Sequence, residues 1–216
     1  MLLRLVRHGE SEGNFAGSLQ GSRLDTPLSE TGRRQAECLA AHLAGEEIDT
    51  VWASPMIRAR ETAEAVAAVL GKGVSLDPDL VEFDWGAWSG RPYDGEIEKE
   101  ISGVRARWRA GETGLSPSGG ESPARAALRA DRFLARLLAS GARAPLVVAH
   151  GRFNRILMTR LLGRSLARMD EIRQRNGSLS VFEWDGSQPA APLLLDDVSY
   201  QPAEIRNVSN LSDSAR

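Results

Sequence analysis

Three short apolar runs constrain this chain most: Leu2–Val6, Thr50–Ala53 and Pro145–Ala149. None alternates cleanly between apolar and polar residues, the pattern of strands covered on both faces. Each is followed by a helical stripe. Ala36, Leu39, Ala40 and Leu43 come first, then Ala59, Ala63, Val66, Ala67 and Leu70. Ile156, Leu157 and Leu161 follow, on a helix starting near Arg152. A further helix over Glu121–Ser140 precedes the third run, with Ala127, Ala130, Leu134, Leu137 and Leu138 on its apolar face. Strands alternating with helices imply βαβ units, so the predicted fold is a three-layer α/β/α sandwich around a mainly parallel central sheet. Ser180–Trp184, after the turn signal Asn176-Gly177, leaves room for one antiparallel edge strand.

A length of 216 residues suits one domain with one sizeable core. Residues 86–120 are rich in Gly, Ser and Trp and read as loops around one polar helix, a lid over the site. Residues 189–216 form a weakly patterned tail. The net charge of −2 argues against a nucleic-acid partner. Arginines outnumber lysines 25 to 2 along the whole chain, so a single arginine says little about a phosphate site. Cys38, the only cysteine, excludes an internal disulfide or a thiolate metal cluster. No signal-peptide pattern opens the chain and no apolar run reaches membrane-spanning length, so the expected setting is cytoplasmic, without a membrane partner. Nothing in the chain specifies an oligomeric state, dimer or other.

In open α/β sheets, ligands bind beyond the carboxyl ends of strands. The first run ends in Arg7-His8-Gly9. The second leads through Ser54-Pro55-Met56-Ile57 to Arg58, and the third into His150-Gly151-Arg152. Ser54 as N-cap and Pro55 as first helical residue predict a helix start there. Arg58 then falls in the first turn, where a cation is disfavoured unless an anion is held by both helix end and guanidinium. The alternative is an arginine solvated on an exposed turn. His8 and His150, two of the three histidines, stand at equivalent strand ends, each before a glycine; His42 lies within a helix and needs no role. Two imidazoles and two or three guanidiniums make a cationic pocket whose natural occupant is a phosphoryl group. A zinc or iron site from the histidines with Asp25 or Glu82 would lack ligand spacing such as H-E-x-x-H and would be repelled by the arginines, so no metal is expected. Dinucleotide and P-loop signatures are absent.

Arg7-His8-Gly9-Glu10-Ser11 resembles the R-H-G-E-[ST] signature of the histidine phosphatase superfamily, which includes cofactor-dependent phosphoglycerate mutases. Asn14 matches in place. Gln20-Gly21, Asp25-Thr26-Pro27-Leu28-Ser29 and Gly32 resemble a second block, and Ser54 to Ala63 a third. Leu80 to Gly90, including Glu82, Gly86 and Trp88, is similar to L-x-E-x-x-x-G-x-W-[ES]-G, and His150-Gly151 matches the second histidine motif. The blocks come in family order. The resemblance implies a phosphoglycerate mutase-like fold and a phosphohistidine mechanism. His8 would be the nucleophile, its Nδ1 proton on a backbone carbonyl. Arg7, Arg58 and a protonated His150 would hold the phosphoryl oxygens. Asn14, Gln20, Gly21 and Gly151 would line the phosphate site, and Glu82 would serve as acid and then base. No metal or organic cofactor is required for hydrolysis.

Mutases carry arginine and tyrosine where this chain has Phe83 and Trp85. Ser118-Gly119-Gly120-Glu121-Ser122 resembles the helix start of the phosphatase branch. The favoured reading is a phosphomonoester hydrolase acting on a small phosphorylated metabolite. A phosphoglycerate mutase and an inactive binding protein of the same fold are the alternatives. Phe15, Phe83, Trp85, Trp88 and Trp108 are expected to form an aromatic rim suited to an apolar leaving group, with at least Trp85 or Trp88 in the core. Arg152 either contacts a second acidic group on the substrate or points to solvent.

Overall fold

A computed structural model describes residues 1–206. The three apolar runs become adjacent parallel strands: β1 (Leu2–Arg7), β2 (Thr50–Ala53) and β4 (Pro145–Ala149). The sheet order is β3-β2-β4-β1-β5-β6. Strand β3 (Val74–Leu76) extends it in parallel beside β2. On the other side, β5 (Leu179–Glu183) runs antiparallel to β1, and β6 (Ala191–Asp197) antiparallel to β5.

The expected antiparallel strand therefore exists, but it is not the edge. Strand β6 is the edge, inside the segment read as a weakly patterned tail. Leu193, Leu194 and Leu195 of that strand all reach solvent, so no alternation marks it. The rest of that tail, from residue 207 on, lies outside the described residues.

The central strands feed both faces. In β4, Leu146 and Val148 pack against helices α2 (Glu30–Leu43) and α3 (Ile57–Leu70), while Val147 and Ala149 pack against α5 (Pro123–Ala139) and α6 (Gly151–Leu161). The two helical layers confirm the three-layer reading. Between them the strands are apolar on both sides, which removes the polar alternation that a half-exposed strand would show. The short helix α1 (Glu12–Phe15) follows β1, and α7 (Ala203–Arg206) ends the described chain. Residues 86–120 hold a 3-10 turn over Gly86–Trp88 and one α-helix, α4 (Gly95–Arg109). Beneath it lies a third cluster, in which Phe83, Trp85, Trp88 and Trp108 pack with Ile97 and Ile101.

That cluster corrects the expected aromatic rim. All four residues are buried, and Phe15 alone of the five is exposed. Phe83 meets Trp85 and Trp108 edge-on at 5.0 and 5.7 Å, and the Trp108 indole N–H donates to the Leu115 carbonyl at 2.9 Å. Tryptophan buried with its N–H satisfied is core material.

Candidate active site

The order β2-β4-β1 brings three strand ends side by side. Backbone bonds lock them: His8 N–H to Ala149 O at 3.0 Å and Ser54 N–H to Val148 O at 3.0 Å. His8 and His150 thus leave neighbouring strands, with ring centroids 5.1 Å apart. Gly9 is required by the chain rather than by a ligand. A Cβ there would lie 2.5 Å from the Gly32 carbonyl, so the backbone after His8 lies directly on α2.

His8 is buried, and its Nδ1 stands 2.6 Å from the Gly9 carbonyl. A carbonyl only accepts, so Nδ1 carries the proton and Nε2 the lone pair. Arg58 Nε donates to that Nε2 at 3.2 Å. The solvated-turn alternative for Arg58 is therefore overturned: its side chain is 1% exposed. Its Nη2 reaches the Gly21 carbonyl at 3.1 Å, and Asp25 lies 3.4 Å from Nη1. Burial, partly offset by Glu82 and Asp25, brings its pKa down to about 10, so it remains a cation at neutral pH.

The helix carrying Arg58 starts later than expected. Its N-cap is Met56, and the Asp25 carboxylate accepts the Ile57 N–H at 3.0 and 3.1 Å. The Ser54 hydroxyl is otherwise engaged: it lies 2.8 Å from His150 Nε2 and accepts the Met56 N–H at 3.3 Å.

His150 is fully buried. Burial first, then the neighbouring Arg58, His8 and Arg7, push its pKa well below the ordinary value. Burial among these cationic groups favours the neutral imidazole over the imidazolium that the resemblance allows. Its Nδ1 has no hydrogen-bond partner among the described residues. Arg7, also buried, anchors its guanidinium on the Gln174 carbonyl, and a Cβ at Gly151 would lie 3.0 Å from Arg7 Nε.

Glu82 does not end a strand; it follows a short 3-10 turn over Pro78–Leu80. Its carboxylate caps α6. Oε1 accepts from Phe83 and Phe153 N–H at 2.8 and 2.9 Å, and Oε2 from Arg152 N–H at 3.2 Å. Arg7, His8, Asn14, Gln20, Gly21 and Arg58 meet Glu82, Trp85, Gly151 and Arg152 around one small cavity. Asn14 Oδ1 is occupied by Ser11 and by Asn176 Nδ2 at 3.1 Å, which leaves its amide nitrogen as the donor. Gln20 lines the cavity, but Ser11 takes its nitrogen and Thr26 its oxygen, both at 2.8 Å, so it braces the loop. Arg152 does not point to solvent; its side chain is 2% exposed and paired with Asp170.

From sequence, Ser54 reads only as a helix cap and Asp25 only as a ligand of the rejected metal site, and Asn176 has no place here. Asn176 also donates to the His8 carbonyl at 3.2 Å, from a position that reads only as a turn signal. A concavity of about 770 Å³ lies at the opposite ends of the strands, between Leu2, Arg4, Asp49 and Arg143, and holds no histidine. Chemistry rather than size selects the site. Among the described residues no group of three or more His, Cys, Asp or Glu side chains is placed to hold a metal, and no helix is long and apolar enough to cross a membrane.

An α/β sheet with paired histidines and arginines at its carboxyl edge defines a phosphoryl-handling protein. The chain belongs to the histidine phosphatase superfamily (branch 1), whose family description matches residues 3–197. It is 36% identical over 189 residues to the "probable phosphoglycerate mutase GpmB" of Photorhabdus laumondii, covering 85% of each chain. It is 34% identical to phosphoserine phosphatase 1 of Hydrogenobacter thermophilus, covering 85% of this chain and 86% of that one. A mycobacterial glucosyl-3-phosphoglycerate phosphatase, solved as a complex with VO3, superposes with a TM-score of 0.77 at 31% identity, covering 89% of this chain and 96% of that one.

Proposed function

We propose that this chain hydrolyses phosphomonoesters of small metabolites through a phosphohistidine on His8. The observation that carries this reading is the His8 tautomer: Nδ1–H on the Gly9 carbonyl, Nε2 unprotonated and accepting from Arg58 Nε. A phosphoryl group entering the cavity displaces Arg58 Nε from His8 Nε2 and takes the guanidinium for its own oxygens. Arg7, Arg58 and the Asn14 amide hold those oxygens and offset charge in the transition state. His150 contributes as a neutral donor. Ser54 O–H can donate to His150 Nε2, leaving the unpartnered Nδ1–H for the phosphoryl group.

His8 Nε2 attacks phosphorus, the P–O ester bond breaks, and Glu82 gives the leaving oxygen a proton. The ionised Glu82 then takes a proton from water, which attacks the phosphohistidine and frees inorganic phosphate. Oε2, with one long bond against two on Oε1, is the oxygen free to carry that proton. The expected setting is cytoplasmic, with no metal, organic cofactor, nucleic acid or membrane required.

The mutase reading is supported by the similarity to the Photorhabdus protein. Phe83 opposes it: the ring is fully buried in the aromatic cluster and offers nothing to a substrate carboxylate. The test is brief exposure to a 32P-labelled ester followed by quenching. Acid-labile label should form on the wild type and be absent in His8→Ala, with activity lost. Label that survives acid, or a mutant retaining more than a few per cent activity, removes His8 as nucleophile. Conversion of 3-phosphoglycerate to its isomer with 2,3-bisphosphoglycerate present, faster than phosphate release, would favour the mutase.

A further inference from the structure

We infer that Arg152 forms a second anion subsite in the same cavity, and that the ester hydrolysed is one whose alcohol portion bears a carboxylate. This rests on the phosphoryl-hydrolase reading above. Arg152 is the second residue of α6, and its backbone N–H is held by Glu82 Oε2, the oxygen assigned to the leaving group. Whatever is attached to the leaving oxygen therefore emerges beside Arg152.

The side chain is buried, with Nη1 on Asp170. Among the described residues Nε and Nη2 are buried with no hydrogen-bond partner. Those two nitrogens form the side-on fork of a guanidinium, which matches the two oxygens of a carboxylate. The same fork grips a carboxylate elsewhere in this chain: Arg23 on Asp84 at 2.7 and 2.9 Å, and Arg160 on Asp131 at 2.9 and 3.1 Å. In Arg152 it is preorganised and idle. The guanidinium carbon lies 5.4 Å from the Trp85 ring centroid and 5.9 Å from that of Trp108, so both indoles hold the fork in place.

Local charge points the same way. Asp170 pairs with Arg152 and also with Arg105 at 2.9 Å, so its charge is divided between these two guanidiniums. A buried cation whose counter-charge is shared gains from a second anion. The fork fits a carboxylate or a second phosphate. The small cavity, walled by Leu19 and Trp85, favours the planar, smaller group.

The test compares matched esters: 3-phosphoglycerate with glycerol 1-phosphate, and 2-phosphoglycolate with ethyl phosphate. The wild type should favour the acid of at least one pair by about 10- to 100-fold in kcat/KM, the scale of a hydrogen-bonded charge left unpaired. R152M, close in length and apolar enough to stay between the indoles, should collapse that ratio, chiefly through KM; R152K should restore part of it. Equal turnover within both pairs, with p-nitrophenyl phosphate still hydrolysed, would reduce Arg152 to packing while leaving the hydrolase reading intact. A stronger preference for 1,3-propanediol bisphosphate would overturn the carboxylate in favour of a second phosphate. Calorimetry of the wild type with 2-carboxyethylphosphonate and propylphosphonate needs neither turnover nor a folded variant. Tighter binding of the former by tenfold or more supports the subsite even if every ester resists hydrolysis; equal binding removes it.

Discussion

His150 Nε2 and Ser54 Oγ face each other at 2.8 Å, both fully buried, on neighbouring strand ends. The pair explains why a helix-capping serine does not cap: its hydroxyl is spent on the imidazole. Ser54→Ala leaves a buried nitrogen unpaired, which costs about 1–3 kcal/mol. The urea midpoint should fall accordingly, and turnover should drop because His150 is free to choose the wrong tautomer. A mutant with unchanged midpoint and turnover would show that the contact carries neither stability nor orientation.

The suppressed basicity of His150 has a pH signature. In the folded protein it stays neutral well below pH 6.5, whereas the unfolded chain takes up a proton near that pH. The unfolded state then binds more protons, so stability falls as pH drops below about 6.5, by at most about 1.4 kcal/mol per pH unit. Asp170 works in a separate window. Burial pushes it up, but Arg152 and Arg105 outweigh this and hold it at about 2, so its contribution is lost only as pH falls below about 4. Melting temperatures at pH 7.5 and 5.5 should therefore differ in the wild type and converge in His150→Gln. An equal drop in both proteins would assign the effect to another group.

Asp25 serves α3 as a cap from outside the helix, through its two bonds to Ile57 N–H. Asp25→Ala should cost about 0.5–2 kcal/mol, as N-cap removal does, and Asp25→Asn should cost much less, since asparagine caps well. Chemical denaturation of both variants checks this. If Asn proves as damaging as Ala, the charge beside Arg58 matters and the cap does not.

The strands β1, β2 and β4, their helices and the cluster of His8, His150, Arg7 and Arg58 were legible because buried parallel strands are continuous apolar runs and their charged ends stand out. What was not legible has physical causes. Strand β3 has three residues, and β6 exposes leucines on an edge, so neither shows a period. The aromatics near Glu82 looked like a rim because composition cannot say which side of a loop faces α4. The neutrality of His150 depends on depth and on which charges surround it, neither of which a motif encodes. Asn176 contributes through the turn that leads into β5, the neighbour of β1, 168 positions along the chain from His8.

Glu82 holds two roles that must be separated experimentally. Its carboxylate caps α6 through Phe153 and Arg152, so any substitution disturbs the helix start. Glu82→Gln keeps the size and one acceptor oxygen but cannot release a proton. General acid catalysis is worth about 10²–10⁴-fold, and it matters most when the leaving group is poor. p-Nitrophenolate leaves readily without a proton; an alkoxide does not. The variant should therefore lose most of its phosphorylation rate with alkyl phosphates and little with p-nitrophenyl phosphate. Water still needs a base to attack the phosphohistidine, so rapid mixing with p-nitrophenyl phosphate should give a near-normal burst of p-nitrophenol followed by slow turnover. A damaged helix start would instead depress the burst and the alkyl reaction alike. Equal losses for both leaving groups in the burst phase, in a variant whose melting temperature is unchanged, would move the acid to another carboxylate. Glu10 and Asp84 would then be next to test. Glu10 is the weaker candidate, because its Oε1 already accepts the Ser29 hydroxyl at 2.7 Å, and Asp84 is held by Arg23.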